Sequence, residues 1–237
     1  MDKVNTYYET FNLTEGMFDE SVSFTPYAIL DIFQELAGRH AYHLGCGTPY
    51  IQAHNIAWIL AKQYAEIYKQ PKYESSVEAY TFPHKPSNMG GLRETVITQD
   101  GEIIARGITL WVMVDLKDFS LTRLGSDIYG LTDYHESYFK KVPKILETDS
   151  LDYFDSYKIM PTDLDKYHHM NNAKYANFIL NSLHLTGKEI KSFGIQYHNQ
   201  AKLGDVINLV KDTKDNKIIL KGYKDEEPIF TINVERN

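Results

Sequence analysis

The sequence is short of sulfur and of positive charge. Its 237 residues hold one cysteine, Cys46, which excludes an intrachain disulfide and a cysteine-rich zinc site. Lys plus Arg number 25 against 32 for Asp plus Glu, a net charge of −7 with a pI near 5.7. That balance argues against nucleic acid, whose phosphate backbone selects basic proteins, as the main partner. Long apolar runs are also missing. IAWILA and ITLWVMV are far too short to span a bilayer, and the opening MDKVNTYYET lacks the apolar stretch of a signal peptide. The expectation is a cytoplasmic chain with no stable membrane insertion. Apolar residues, by contrast, make up 43%, and 18 Tyr and 11 Phe are spread throughout. Such a chain can bury a core and is not disordered, and it is suited to an apolar ligand.

The clearest helix lies between Phe24 and Gly45. Thr25 is a good N-cap, Pro26 suits the first helical position, and Gly45 supplies a stop. Between them Ile29, Ile32, Phe33, Leu36, Ala37 and His40 recur on one helical face, so this rod of about 30 Å should lie buried on a sheet. The period then changes. Ile56 to Tyr68, Ser76 to Phe82, Leu92 to Gln99 and Ile103 to Asp115 read as strands, with Asp100-Gly101 as a hairpin turn. The pattern restarts with a strand at Tyr153 to Met160 and a second helix from Asn171 to Thr186. Strands follow at Phe193 to Ala201, Val206 to Asp212, Lys217 to Tyr223 and Pro228 to Glu235. Sliding the chain on itself by 146 residues aligns the two halves without gaps. Tyr8, Glu9, Thr10, Phe11 and Leu13 fall on Phe154, Asp155, Ser156, Tyr157 and Ile159, Asp19 on Asp165, and Thr25 on Asn171. The fold class is α+β, built from two copies of one unit.

The densest polar cluster, Thr162 to Tyr175, sits between a strand and a helix start. Two readings of it are open. It is a solvated N-capping loop, or it is a site where backbone N–H groups and a helix dipole stabilise an oxyanion while Asp165 and His169 act on water.

DLDKYHHMNNAKY resembles the D-x-N-x-H-x-N-N-x-K-Y segment of the acyl-acyl-carrier-protein (acyl-ACP) thioesterases, double hot-dog enzymes of plants and bacteria. Gln34-Glu35, the Trp58 strand, Arg93 after a glycine pair and TLWVMVD around Trp111 look like the same family. The resemblance implies two tandem hot-dog units, each a long helix on an antiparallel sheet. The N-terminal unit, residues 1–130, would hold the acyl chain; residues 131–150 would connect; residues 151–237 would carry the catalytic motif. It implies hydrolysis of fatty acyl-ACP to free fatty acid and carrier protein, with neither metal nor organic cofactor. Asp165 falls on the family's catalytic Asp and His169 on its catalytic His, whereas Tyr167 stands where many members have Asn. Single hot-dog thioesterases often carry an aromatic residue there. Downstream, IQYHNQAKLGD looks like I-x-Y-x-x-E-x-x-x-G-D, so Gln200 replaces a carboxylate and Ala201 lies where plant members have cysteine. A cysteine nucleophile is thereby excluded, and Gln200 can orient a water but not take up a proton. Asn171, Asn172, Ile32, Leu36, Trp58 and Arg93 are expected to bind substrate. Ser23 lies opposite His169, so only the second half pairs an acid with an imidazole, and one active site per chain is expected.

Two rival functions stand beside this one: an acyl-CoA thioesterase, which would bind the same phosphopantetheine arm, and a non-catalytic acyl-binding hot-dog protein. Carrier protein is acidic, so a basic patch would favour it. Lys62, Lys69, Lys72, Lys85 and Arg93, or Lys140, Lys141 and Lys144, could supply one. A homodimer stays open. His40 and His43 lack an apparent third metal ligand, Cys46 reads as an incidental thiol in a turn, and HKPSNMGG as a mobile turn without phosphate-binding spacing.

Overall fold

The computed structural model of the chain describes residues 4–87, 90–125 and 127–237. In the first half these form β1 (Tyr7–Asn12), α1 (Pro26–His43), α2 (Thr48–His54), β2 (Ile56–Ile67), β3 (Ser76–Pro83), β4 (Gly91–Gln99), β5 (Glu102–Asp115) and the short β6 (Leu121–Thr122). The second half has β7 (Tyr153–Lys158), α3 (Asn177–Asn181), β8 (Ile190–Tyr197), β9 (Val206–Lys214), β10 (Lys217–Lys224) and β11 (Glu227–Arg236). All pair antiparallel in one sheet of order β1-β3-β4-β5-β2-β8-β11-β10-β9-β7, with β6 on β5. The order is a palindrome of structure. Each strand of the first arm has its counterpart in the second, and the arms join where β2 meets β8, with Lys62 opposite Gln196 and Glu66 opposite Ser192.

The α1 helix forms as its sequence predicts. The Thr25 hydroxyl accepts from the Ala28 N–H at 3.2 Å, and Ile29, Ile32, Phe33, Leu36, Ala37 and His40 are all buried. Burying each large apolar side chain contributes roughly 1.5–3 kcal/mol, which anchors the helix on one face of the sheet. The Asp100-Gly101 turn has positive φ at both residues, as the hairpin signal requires. Asn88 and Met89 of the HKPSNMGG turn lie outside the described residues.

The second helix does not form as expected. In place of a helix from Asn171 to Thr186, Asn172–Ala176 is a 3-10 turn, and α3 ends at Asn181. Asn181 and Ser182 are residue types that favour helix ends over helix interiors, and His184 takes a left-handed φ of 54°. The α1 helix packs against the 3-10 turn and against α3.

The connector has no regular structure but is hydrogen-bonded along the opposite face of the sheet. The buried Glu94 carboxylate accepts from the Tyr138 and Phe139 N–H groups, both at 3.1 Å. Further on, Leu146 exchanges hydrogen bonds with the Asn233 carboxamide, and Thr148 donates to Asp212.

Candidate active site

The polar cluster folds as a tight turn built on a carboxylate. Oδ1 of Asp165 accepts from the N–H of Tyr167 at 2.8 Å and of His169 at 3.2 Å. The backbone closes on itself, Asp165 N–H to the His169 carbonyl at 2.8 Å, and His168 sits at φ 63°. Asp163, buried, fixes the approach: its Oδ2 accepts from the Met160 N–H and the Tyr157 hydroxyl, and its carbonyl from the Asn171 N–H. Asn171 then caps the 3-10 turn, accepting from Ala173 at 2.8 Å.

The same turn recurs 146 residues earlier. Oδ1 of Asp19 accepts from the N–H of Ser21 and of Ser23, both at 2.9 Å, Asp19 N–H donates to the Ser23 carbonyl, and Val22 sits at φ 57°. The two copies differ in the second oxygen. Asp19 Oδ2 accepts from the Gly187 N–H at 2.7 Å, at a point where a Cβ on Gly187 would collide with the Phe24 carbonyl. Asp165 Oδ2 makes no hydrogen bond among the described residues. Burial works against the ionised Asp19, but donors from Gly187, Ser23 and Ser21 outweigh it and hold its carboxyl below the usual range.

The downstream segment runs beside this turn. His169 bridges to Lys202, and the Met170 N–H donates to the Ala201 carbonyl at 2.8 Å. Gln200 therefore lies next in the chain to a residue touching the motif, but its side chain is exposed and makes no hydrogen bond to His169 among the described residues. Tyr167 also points outward, 56% exposed, beneath the Lys166 ammonium. Two tyrosines and a glutamine carry more of the positioning. The Tyr197 hydroxyl donates to the Asn172 carbonyl at 2.7 Å and accepts from Gln63 on β2, while its ring meets Tyr175 edge-on. This link from the first half to the second was missed; its only sequence signal is the Tyr of IQYHNQ.

A cavity of about 160 Å³ opens between α1, α2 and the sheet, lined by Ala37, Ala41, Cys46, Trp58, Arg93 and Tyr129 among others. Trp58 and Arg93, both expected to bind substrate, line it. Ile32 and Leu36 do not; they are in the main core, because the face of α1 that carries them lies flat on the sheet. Cys46, read as an incidental thiol in a turn, is buried at the cavity wall. Arg93 is also buried, which removes it from any surface patch.

Residues 4–131 match the acyl-ACP thioesterase N-terminal domain, and residues 146–229 match the acyl-ACP thioesterase C-terminal domain. This chain belongs to the acyl-ACP thioesterase family. It is 24% identical to the chloroplastic oleoyl-acyl carrier protein thioesterase 2 of Arabidopsis thaliana over 81% of its own length and 59% of that protein. The chain spans about three-fifths of the length of the first curated relatives it matches. Its fold superposes on an acyl-ACP thioesterase from Bacteroides thetaiotaomicron with a TM-score of 0.89, 20% identity and 98% coverage of both chains. The 12:0-ACP thioesterase of Umbellularia californica gives a TM-score of 0.82 at 18% identity, covering 99% of this chain and 98% of that one. At such identities the likeness is one of fold, and in the double hot-dog fold of this acyl-ACP thioesterase family member Asp165 and His169 share one turn, with Asn172 opening the 3-10 segment that follows.

Proposed function

We propose that this protein hydrolyses fatty acyl-ACP to free fatty acid and carrier protein, with Asp165 and His169 as the working pair. The observation that carries the reading is the asymmetry between the copies: Asp19 commits both oxygens to the fold, and Asp165 commits one. The uncommitted Oδ2 takes the proton of a water as its oxygen attacks the thioester carbonyl. His169 passes a proton to the departing sulfur as the C–S bond breaks, and the proton held by Asp165 then restores His169, giving the acid and a free thiol. Positioned acid–base groups contribute about 10²–10⁴-fold, ample for an activated ester. A long helix dipole is not available to the oxyanion, since only a 3-10 turn follows the motif. The Asn172 carboxamide, with no hydrogen bond among the described residues, supplies the polar contact instead.

For the acidic carrier, the connector lysines are the better footing. Lys69 and Lys72 are paired with Glu102 and Asp100, whereas Lys140, Lys141 and Lys144 are exposed and form no ion pair among the described residues. A cytoplasmic setting belongs to the same proposal, since a fold with one cysteine needs no oxidising compartment. The deciding experiment measures thiol release from matched acyl-ACP and acyl-CoA substrates. Faster turnover per unit concentration on acyl-ACP is expected. Preference for CoA would make this an acyl-CoA thioesterase, and binding without release on either would make it an acyl-binding protein.

A further inference from the structure

Arg93 brings a positive charge into the cavity beside α1 with no negative charge to meet it. It is 6% exposed, on the face of β4 that α1 covers. Its Nη1 lies 2.9 Å from Nδ1 of His40 and 3.4 Å from the Thr81 hydroxyl. His40 is a neutral acceptor there, because its Nε2 faces the Val4 carbonyl at 2.9 Å, and burial together with the Arg93 charge pushes its pKa down to about 4. No carboxylate among the described residues is within ion-pair distance of Arg93, and its Nε and Nη2 make no hydrogen bond there. A guanidinium cannot shed its proton in a protein, and an uncompensated buried charge is costly.

The walls around this charge are mostly apolar, with Gln34, Thr48 and Tyr129 as the neutral polar members of the lining. The indole N–H groups of Trp58 and Trp111 are spent on the Cys46 carbonyl and the Thr109 hydroxyl, leaving their ring bodies to the cavity with Ala37 and Ala41. A largely apolar cavity with an unpaired planar, bidentate donor in its wall suits an aliphatic chain that ends in a carboxylate. We propose that this cavity is a carboxylate receptor, in which Nε and Nη2 of Arg93 grip a carboxylate at the tip of an alkyl chain. That carboxylate has two sources. A released fatty acid can enter head-first, or an acyl thioester can carry a second carboxylate at its far end. The second source rests on the hydrolytic reading; the binding itself does not.

The test is calorimetric titration with hexanoate and with hexan-1-ol at neutral pH. Wild type should bind hexanoate about tenfold or more tightly, the usual weight of a charge-assisted hydrogen bond. Arg93→Gln should erase that preference. Ala41→Leu, which fills the cavity without touching Arg93, should weaken both ligands. Equal affinity for acid and alcohol in wild type, binding of neither, or hexanoate binding that survives Arg93→Gln or Ala41→Leu would overturn the proposal. If Arg93→Gln does not fold, the wild-type comparison and Ala41→Leu still decide it. Competition between hexanoate and the acyl thioester identifies product as the source, and faster hydrolysis of the carboxyl-tipped thioester than of its methyl-tipped match identifies substrate. Absence of hydrolysis on every thioester defeats the enzymatic reading alone and leaves the titration standing.

Discussion

Asp19 and Asp165, 146 residues apart, hold one and the same turn with the same oxygen, and they part company at the other. Gly187 occupies Oδ2 of Asp19, so the first copy is a structural joint between the halves. In the second copy the joint is open. Duplication has kept the turn in both places, and only one of them has an oxygen to offer a substrate.

That difference makes Asp165→Asn informative. Asn keeps an acceptor at the Oδ1 position, so the turn and the melting temperature should hold, but it cannot take a proton from water. kcat should fall by at least about 100-fold, the lower bound for a lost general base. A variant that retains more than about a tenth of wild-type kcat sinks the assignment.

Val22 sits at φ 57° in the first turn, where the second has His168 at φ 63°. A left-handed conformation costs an L-residue about 1–2 kcal/mol and suits Asn better than a β-branched side chain. Val22 is 56% exposed, so little packing is lost on replacement. Val22→Asn should therefore stabilise the protein by about 1 kcal/mol, a rise in Tm of about 2–4 °C for a chain of this size. An unchanged or lower Tm would show that the turn is not strained.

His40 ties stability to pH. Its imidazole is depressed to about 4 in the fold by burial first and by Arg93 second, against 6.5 when unfolded. Between these values the unfolded chain binds more protons, so stability rises with pH and is lost as pH falls from 6.5 towards 4. The Tm of wild type should drop across that window more steeply than that of His40→Gln, whose carboxamide can still accept from Arg93. Parallel curves from scanning calorimetry would show that His40 titrates normally.

The first half of the fold was legible because α1 obeys a strict helical period against one covered face. Arg93 misled for a physical reason. Both faces of β4 are covered, one by α1 and one by the connector that Glu94 holds, so no clean alternation marks which charges are buried. The second helix misled because its apolar pattern is real, with Ala173, Tyr175, Ala176, Phe178 and Ile179 buried and the segment packed against α1, but burial of that kind serves a 3-10 turn and a short helix as well as a full rod. Tyr167 and Gln200 took their expected roles from a family pattern, and a pattern of residue types does not carry side-chain direction. The turn that aims Tyr167 outward is set by the Asp165 hydrogen bonds, which only the folded chain displays.

Gln200 gives the most direct test of that last point. Had its side chain shared a pocket with His169, a carboxylate in its place would raise the imidazole pKa strongly, since a close negative charge favours the imidazolium. Gln200 is exposed, however, and lies beside the motif through Ala201 rather than through its own carboxamide. An ion pair in solvent is worth about 0.2–1 kcal/mol, and 1.36 kcal/mol corresponds to one pKa unit. Gln200→Glu should therefore move the pH profile of kcat/KM upward by less than about 0.7, and added salt should shrink even that. The measurement is the profile of both proteins at low and high ionic strength, with circular dichroism to confirm the fold. A larger rise that persists in salt would mean that the side chain turns inward when substrate binds.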